Sequence, residues 1–374
     1  MDTCDVLIVG GGPAGSACAW KLRESGLDAV VMDKAIFPRD KVCAGWITPQ
    51  AIDDLQIDAD EYRHGRTLQP ITGFRVGLIG GDEAVETTYE RPVSFGIRRC
   101  EFDDYLLRRS GARLLVGAPI SSIRRGGDQW VVNETVKASM LVGAGGHFCP
   151  VARMLNGTTN RAPLIAAHEV EFVIDSREVR SFRIAAEKPE FHFCRDLKGY
   201  GWCFRKHDYL NTGLGRLNPH GLPKASAEFV AFLKARHRIP ADAFWRWRGH
   251  AYLLSGAPRR RAVGEGVILV GDAAGLAYPQ SGEGIRPAIE SGLIAASTIV
   301  EADGRYTRDR LEPYEHHLQR RFGVPSVARL LSRAAPVGAS AALALRLLDR
   351  PWFVRHVLLN RWFLHARTPA LALS

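Results

Sequence analysis

No segment of the chain is apolar for long enough to cross a bilayer. In the arginine-rich tail the longest charge-free stretch, Ala334 to Leu345, is about 12 residues, and a spanning helix needs roughly 20. Cysteine is sparse. The seven, at positions 4, 18, 43, 100, 149, 194 and 203, are odd in number, include no C-x-x-C pair and form no grouping with histidine that reads as a metal site. A disulfide scaffold and a structural metal are therefore not expected, whereas reduced thiols in a cytoplasmic protein are. Met1 leads through Asp2, Thr3, Cys4 and Asp5 straight into an apolar run, without the basic segment and cleavage site of a signal peptide. Internal repeats and low-complexity linkers are missing too.

The composition is ordinary for a globular protein, with 46% hydrophobic and 24% charged residues, 37 Gly and 20 Pro in 374 positions; disorder, collagen and coiled coil are set aside. A chain of this length buries about three quarters of its unfolded surface, which supports a large core and two domains rather than one. The net charge of +10 is concentrated at one end, because residues 305–374 hold twelve Arg, no Lys and four acids. Such a surface suits nucleic acid, an anionic membrane or an acidic ligand alike. No nucleic-acid-binding motif accompanies it.

Residues 5–10, Asp-Val-Leu-Ile-Val-Gly, read as a buried strand of a parallel sheet. A helix is expected from Pro13 to Ser25, ended by Gly26, and a second strand over Ala29–Asp33. This is a βαβ opening. Roughly 70–95 and 160–260 alternate aromatic and polar residues between Gly, Pro and Asn, a pattern of antiparallel strands and a second domain. Gly266–Gly271 repeats the strand-then-glycine pattern, and 284–301 reads as a long helix. After Tyr306 the pattern is helical to the end, with Leu330, Leu331, Leu343, Leu345, Leu347 and Leu348 among arginines and a break at Pro336.

Gly10-Gly11-Gly12-Pro13-Ala14-Gly15 satisfies G-x-G-x-x-G between that strand and helix. Gly10 permits the tight turn, Gly12 lets a pyrophosphate approach the backbone, and Gly15 lets helix and strand pack, while the helix N-terminus at Ala14 attracts negative charge. Asp33, closing the second strand 18 positions after Gly15, is placed to accept both ribose hydroxyls of an adenosine, with Lys34 beside it. An acid there repels a 2′-phosphate, so FAD or NAD is expected rather than NADP. Downstream, Gly271-Asp272-Ala273-Ala274 follows the last apolar strand, and Pro279-Gln280-Ser281-Gly282-Glu283-Gly284-Ile285 leads into the long helix. Asp272 suits the polyol of FAD, although it would also serve as a helix cap. A glycine-lined helix start at Gly284 and Ile285 suits the negative edge of a reduced flavin.

With these motifs the chain resembles the FAD-dependent oxidoreductases of the p-hydroxybenzoate hydroxylase-like fold, and within them the geranylgeranyl reductase family. The resemblance extends through Pro38-Arg39-Asp40-Lys41-Val42-Cys43-Ala44-Gly45-Trp46, Arg98-Arg99-Cys100-Glu101-Phe102-Asp103, the Gly271-Asp272 pair and Trp362-Phe363-Leu364-His365. It implies an α/β fold: a Rossmann-like FAD-binding domain from 1–69, 96–160 and 262–305, an inserted mixed or antiparallel β-sheet substrate domain from 70–95 and 161–261, and a C-terminal helical segment, 306–374. It also implies that Arg99 contacts the flavin nucleotide, that Ile120 binds the adenine end through its backbone, and that Ala44 and Gly45 lie beside the isoalloxazine. The plain alternative makes Arg99 a surface cation. Cys43 and Trp46 then belong to the substrate pocket.

Gly199-Tyr200-Gly201-Trp202-Cys203-Phe204-Arg205-Lys206 is similar to the family's Y-x-W-x-F-P segment. Tyr200, Trp202 and Phe204 fall on one face of a strand and form an apolar wall for a prenyl-like or aromatic substrate, or else they pack the core. Arg205 replaces the proline and, with Lys206, is placed to pair with an anionic headgroup. Gly145 stands where flavin hydroxylases carry Asp, which counts against hydroxylation. Trp245-Arg246-Trp247-Arg248 only begins the halogenase motif. The expectation is an FAD-dependent reductase delivering hydride from flavin N5 to a carbon–carbon double bond of an apolar substrate; the alternative is a flavin monooxygenase acting on an aromatic or polyketide-like molecule. No second dinucleotide motif is present, so NAD(P)H or a ferredoxin-type donor serves as a transient reductant. No catalytic residue is singled out. In the tail Trp352, Phe353, Leu358, Leu359, Trp362 and Phe363 alternate with Arg355, Arg361 and Arg367. They either cap the substrate domain, the favoured reading, or lie on the inner face of a membrane.

Overall fold

The computed structural model describes residues 1–157, 164–174, 184–217, 219–240, 246–253, 260–323 and 337–371. Its first sheet has eight strands. The parallel core runs Val267–Leu269, Val136–Gly143, Asp2–Val9, Ala29–Asp33, Arg113–Val116. Strand Val136–Gly143 shares its outer edge between two neighbours: 136–138 pair with the Ile123–Gly126/Gln129–Val132 hairpin, and 141–143 with Val267–Leu269. The short strand Val263–Gly264 closes that edge antiparallel. Because Val9 registers with Met32 and Gly143, and Gly143 with Leu269, four strands end at one edge. That is where open α/β sheets bind ligands.

The glycine fingerprint leaves this edge into helix Pro13–Glu24, which matches its expected span apart from Ser25, now the C-cap. Helix Ile285–Glu301 crosses it so closely that a Cβ on Gly292 would collide with the Ala14 carbonyl.

The second sheet has seven strands in the order Arg248–Leu253, Leu164–Val173, Tyr209–Arg216, Gly199–Lys206, Glu190–Phe193, Gly73–Leu78, Ala84–Thr88. All pairings are antiparallel except Glu190–Phe193 with Gly73–Leu78. A third sheet of Trp46–Ile47, Ser94–Ile97 and Leu68–Ile71 lies across the sequence positions where the two expected domains meet.

The tail departs from its expected course. Helices Arg308–Leu311, Pro313–Phe322 and Val337–Leu348 are followed by Pro351–Phe353 and a π-helical run, Val354–Phe363, but residues 364–371 are not helical. They return to helix Ile285–Glu301, where Arg286 Nη2 donates to the carbonyls of Thr368 (3.0 Å) and Pro369 (2.7 Å). Backbone carbonyls bound by a buried guanidinium are not available to a helix ladder. Leu358, Leu359 and Phe363 bury against the aromatic strand, capping it, while Trp352 stays 68% exposed. Leu330, Leu331, Pro336 and Trp245 lie outside the described residues.

Candidate functional site

A single cleft of about 760 Å³ runs from the fingerprint to the aromatic strand, large for a small-molecule site. At one end Asp33 accepts hydrogen bonds from Gly11 N–H (2.7 Å, Oδ2) and Ala35 N–H (2.8 Å, Oδ1), which lock its carboxylate at the strand end. Lys34, Pro119 and Ile120 line the same end. Gly10 has φ +118°, and a side chain there would collide with the Ala144 carbonyl. Gly12 opens to the cleft: a Cβ on it would meet only Arg39 Nη2, at 3.5 Å. Gly15 is not in the lining. It packs against the Gly10 carbonyl, the helix–strand contact its motif position demands. Ala14 begins the first turn of a helix with no side-chain cap and no acid in that turn, so its N-terminal N–H groups face the cleft unpaired by any side chain.

Arg99 is not a surface cation. It is 9% exposed, lines the cleft and makes a two-pronged bond to Asp103, 2.8 Å in each arm. Arg39 shares the same buried carboxylate at 3.1 Å. Asp103 lies one turn further along the helix Arg99–Arg109 and offsets the penalty of a cation in a helical first turn. Arg39 Nη1 is buried without a partner among the described residues. An orphaned guanidinium N–H beside Gly12 and an uncapped helix N-terminus fits the diphosphate of a dinucleotide.

Asp272 sits in the turn Gly271–Ala273 and makes no capping bond; the turn's N-cap is Val270. Its Oδ1 lies 3.3 Å from where a Cβ of Gly284 would stand, so glycine keeps this passage open. Burial pushes the Asp272 carboxyl up, and Lys41, Arg99, His147 and Arg260 pull it back. Lys41 Nζ lies 2.7 Å from His250 Nε2. Burial brings that lysine down to about 8, and burial with the adjacent Lys41 brings His250 down to about 3, so the imidazole is a neutral acceptor.

The N-terminus of helix Ile285–Glu301 is less free than expected. Arg286 N–H donates to Glu283 Oε1 at 2.7 Å, so Glu283, a lining residue to which the motif reading gave no role, occupies part of it. Gly284 and Ile285 line the cleft as expected.

At the far end stand Cys43, Ala44, Trp46, Tyr200, Trp202 and Tyr252. Tyr200 donates its hydroxyl proton to the Ser281 carbonyl. Two expected members are elsewhere. Phe204 is on the expected face but 1% exposed, its ring 5.4 Å from Phe191, and it packs the core rather than the cleft. Gly45 (φ +64°) faces Ile97 and Lys206, where a side chain would collide with the Ile97 carbonyl, so it shapes the loop. Lys206 does not await an anionic headgroup. It is 1% exposed and bonded to Glu171 at 2.9 Å, and Arg205 Nε donates to the His207 carbonyl. A Cβ on Gly145 would lie 3.3 Å from Cys149 Sγ, so the hydroxylase aspartate would be crowded here.

Sequence reasoning missed a buried polar hub behind this wall. Asn211 Oδ1 accepts from Trp202 Nε1 (2.8 Å), and its Nδ2 donates to Glu169 (2.7 Å), the Cys43 carbonyl (3.1 Å) and Glu171 (3.1 Å). Burial, and then the charge of Glu171, push Glu169 up to about 7 against the pull of Lys206. Three acceptors on one side and one indole donor on the other fix the orientation of the amide. The alternation pattern carries no signal for it.

Residues 8–59 match the model of an NAD(P)-binding Rossmann-like domain. The chain is 31% identical over 336 residues to a menaquinone reductase of Mycobacterium tuberculosis, covering 81% of this chain and 78% of that protein. It is 26% identical over 337 residues to a digeranylgeranylglycerophospholipid reductase of Methanocaldococcus jannaschii, covering 84% and 82%. A geranylgeranyl bacteriochlorophyll reductase-like structure from Thermoplasma acidophilum superposes with TM-score 0.77 at 22% identity, covering 93% and 91%. A dinucleotide cradle continuous with an aromatic chamber, on a chain with these relatives, is that of a flavoenzyme: the protein belongs to the geranylgeranyl reductase family of FAD-dependent oxidoreductases.

Proposed function

We propose that the protein reduces a carbon–carbon double bond in a prenyl-like chain, with FAD along the cleft and the alkene against Trp46, Tyr200 and Trp202. The observation that carries this reading is the continuity of the cavity: one space joins the Asp33 cradle to a wall of large aromatics. Asp33, Lys34 and Ile120 would hold the adenosine, Gly10, Gly12, Ala14 and Arg39 the diphosphate, and Arg99 and Asp272 the ribityl side. Cys43, Ala44, Gly284 and Ile285 would border the ring. When bound, FAD supplies two-electron transfer as hydride; the donor that reloads it is NAD(P)H or a ferredoxin. The chain's own residues hold the ligand ends, exclude water with the aromatic wall and carry the acid groups.

The test is anaerobic. The purified holoprotein is photoreduced and challenged with prenyl alkenes and with aromatic compounds. Reoxidation by a prenyl alkene without oxygen is expected, and a requirement for oxygen in equal amount to donor would overturn the reading in favour of a monooxygenase.

We also propose that the tail meets an anionic membrane surface edge-on. Exposed Leu343 (59%) and Trp352 (68%) stand among exposed Arg346, Arg350 and Arg355, and apolar groups ringed by cations suit an interfacial contact. Among the described residues no helix is long and apolar enough to cross a membrane. Co-flotation with vesicles containing anionic lipid, lost with neutral lipid or with Trp352→Ala, is the expected result.

A further inference from the structure

Four carboxyl groups line the cleft in different settings, and one of them, Asp40, is paired with Arg248 at 2.7 Å. Asp33 is held by two backbone N–H groups, and Asp272 faces Lys41 and Arg99. Glu283 has no ion pair among the described residues. Its neighbour Arg286 gives it only a backbone N–H as a hydrogen bond; the guanidinium turns Nε to Glu290 at 2.7 Å and Nη2 to the tail carbonyls of Thr368 and Pro369, with Nη1 buried and without a partner among the described residues, and Glu290 is bound as well by Arg321. Glu283 also stands at the aromatic end. Ser281, two residues before it, receives the Tyr200 hydroxyl, and a side chain on the intervening Gly282 would collide with the Tyr252 hydroxyl. The charged and titratable groups around it are Arg286, Glu290, Tyr278 and Tyr200.

We propose that Glu283 is the proton donor of the reaction, protonating the alkene carbon that does not receive hydride. This rests on the reductase reading. Burial, reinforced by Glu290, pushes the Glu283 carboxyl up to about 7, against the Arg286 N–H and charge. A carboxyl raised toward neutrality beside a second, charge-compensated carboxylate is the arrangement of acid and non-acid partners found in enzymes that use two carboxyls. The π bond breaks and two C–H bonds form: one carbon takes hydride from the reduced flavin, the other the Glu283 proton. Glu283 is left as carboxylate, the flavin is left oxidised, and solvent returns the proton before the next turnover.

The experiment uses holoprotein with Glu283→Gln, which keeps an acceptor for the Arg286 N–H. It is expected to take up FAD and be reduced by dithionite as wild type does. Its anaerobic reoxidation by a prenyl alkene should fall by about 100-fold or more, the usual contribution of a general acid. The loss of wild-type rate as pH rises through about 7 should vanish with it. Infrared difference spectra taken across that pH should show, after the Glu283→Gln spectrum is subtracted from that of wild type, a protonated-carboxyl band belonging to Glu283, since Glu169 titrates in both. A variant that reoxidises at the wild-type rate with its pH limb intact, or wild type lacking the band, overturns the assignment. If Glu283→Gln does not hold FAD, Glu283→Asp carries the test: a slower rate with the limb retained supports the acid role, and a lost limb refutes it. Wild-type reduced flavin that no prenyl alkene reoxidises brings down the reductase reading itself, and this proposal with it, a failure visible before any variant is made.

Discussion

Replacing Asn211 by Leu keeps the branched outline and the number of heavy atoms of the side chain and strips four groups of a partner. Glu171 keeps Lys206 at 2.9 Å and Arg98 at 3.1 Å, and the Cys43 carbonyl lies at the edge of the cleft. Trp202 Nε1–H and Glu169 lose bonds of 2.8 and 2.7 Å and are buried, at 7% and 4% exposure. A buried polar group left unsatisfied costs about 1–3 kcal/mol, so the two together cost about 2–6 kcal/mol. Glu169 is pushed up to about 7 by burial and is largely protonated below that pH, which places the expectation in the lower half of that range, about 3 kcal/mol. The assay is chemical denaturation of the FAD-loaded protein followed by tryptophan fluorescence, with anaerobic reoxidation measured in parallel. A lower midpoint is expected, together with slower reoxidation by the alkene as Trp202 and the Cys43 loop lose their common anchor, while FAD content is retained because the proposed adenosine end at Asp33 is untouched. Stability within about 0.5 kcal/mol of wild type, the range of an ordinary surface substitution, with an unchanged rate, would refute the view of Asn211 as the positioning residue of the wall.

Gly15→Ala drives a methyl into the Gly10 carbonyl, and the purified protein should retain its secondary structure by circular dichroism but lose most of its bound FAD. Glu169→Gln removes a carboxyl whose folded-state pKa is raised from 4.5 to about 7. Such a group stabilises fully below its unfolded pKa and less as pH rises through the folded one, so wild type should lose stability relative to the variant between those two values; a gap independent of pH would contradict the assignment. Arg286→Met breaks a buried pair and frees the tail carbonyls. Removing one partner of a buried ion pair costs about 3–5 kcal/mol, softened here because Arg321 remains on Glu290, and limited proteolysis within residues 364–371 should accelerate.

The βαβ opening was legible because its requirements are local. A strand, a turn that only glycine makes and a helix start must follow one another within about fifteen residues, and Asp33 falls in place because strand Ala29–Asp33 runs parallel to Asp2–Val9. The aromatic strand was legible in part. Alternation assigns Tyr200, Trp202 and Phe204 to one face, and all three do join one cluster, but parity does not say how far along the strand the cleft reaches, and it stops short of Phe204. The tail's apolar residues announced a buried face without saying what they would cover.

Periodicity and glycine spacing, properties of neighbours along the chain, thus sufficed for the α/β class, the glycine turn beside Asp33 and the aromatic face. Tertiary structure alone assigned the charges. Asn211 meets Cys43 across 168 positions and Arg286 meets Pro369 across 83; contacts between distant segments also pair Lys206 with Glu171 and turn Arg286 toward Glu290 and the tail, leaving Glu283 without an ion pair among the described residues. Whether a carboxyl or an amine is charged depends on what surrounds it in space, and that surrounding is brought together only when the sheets and the returning tail have packed.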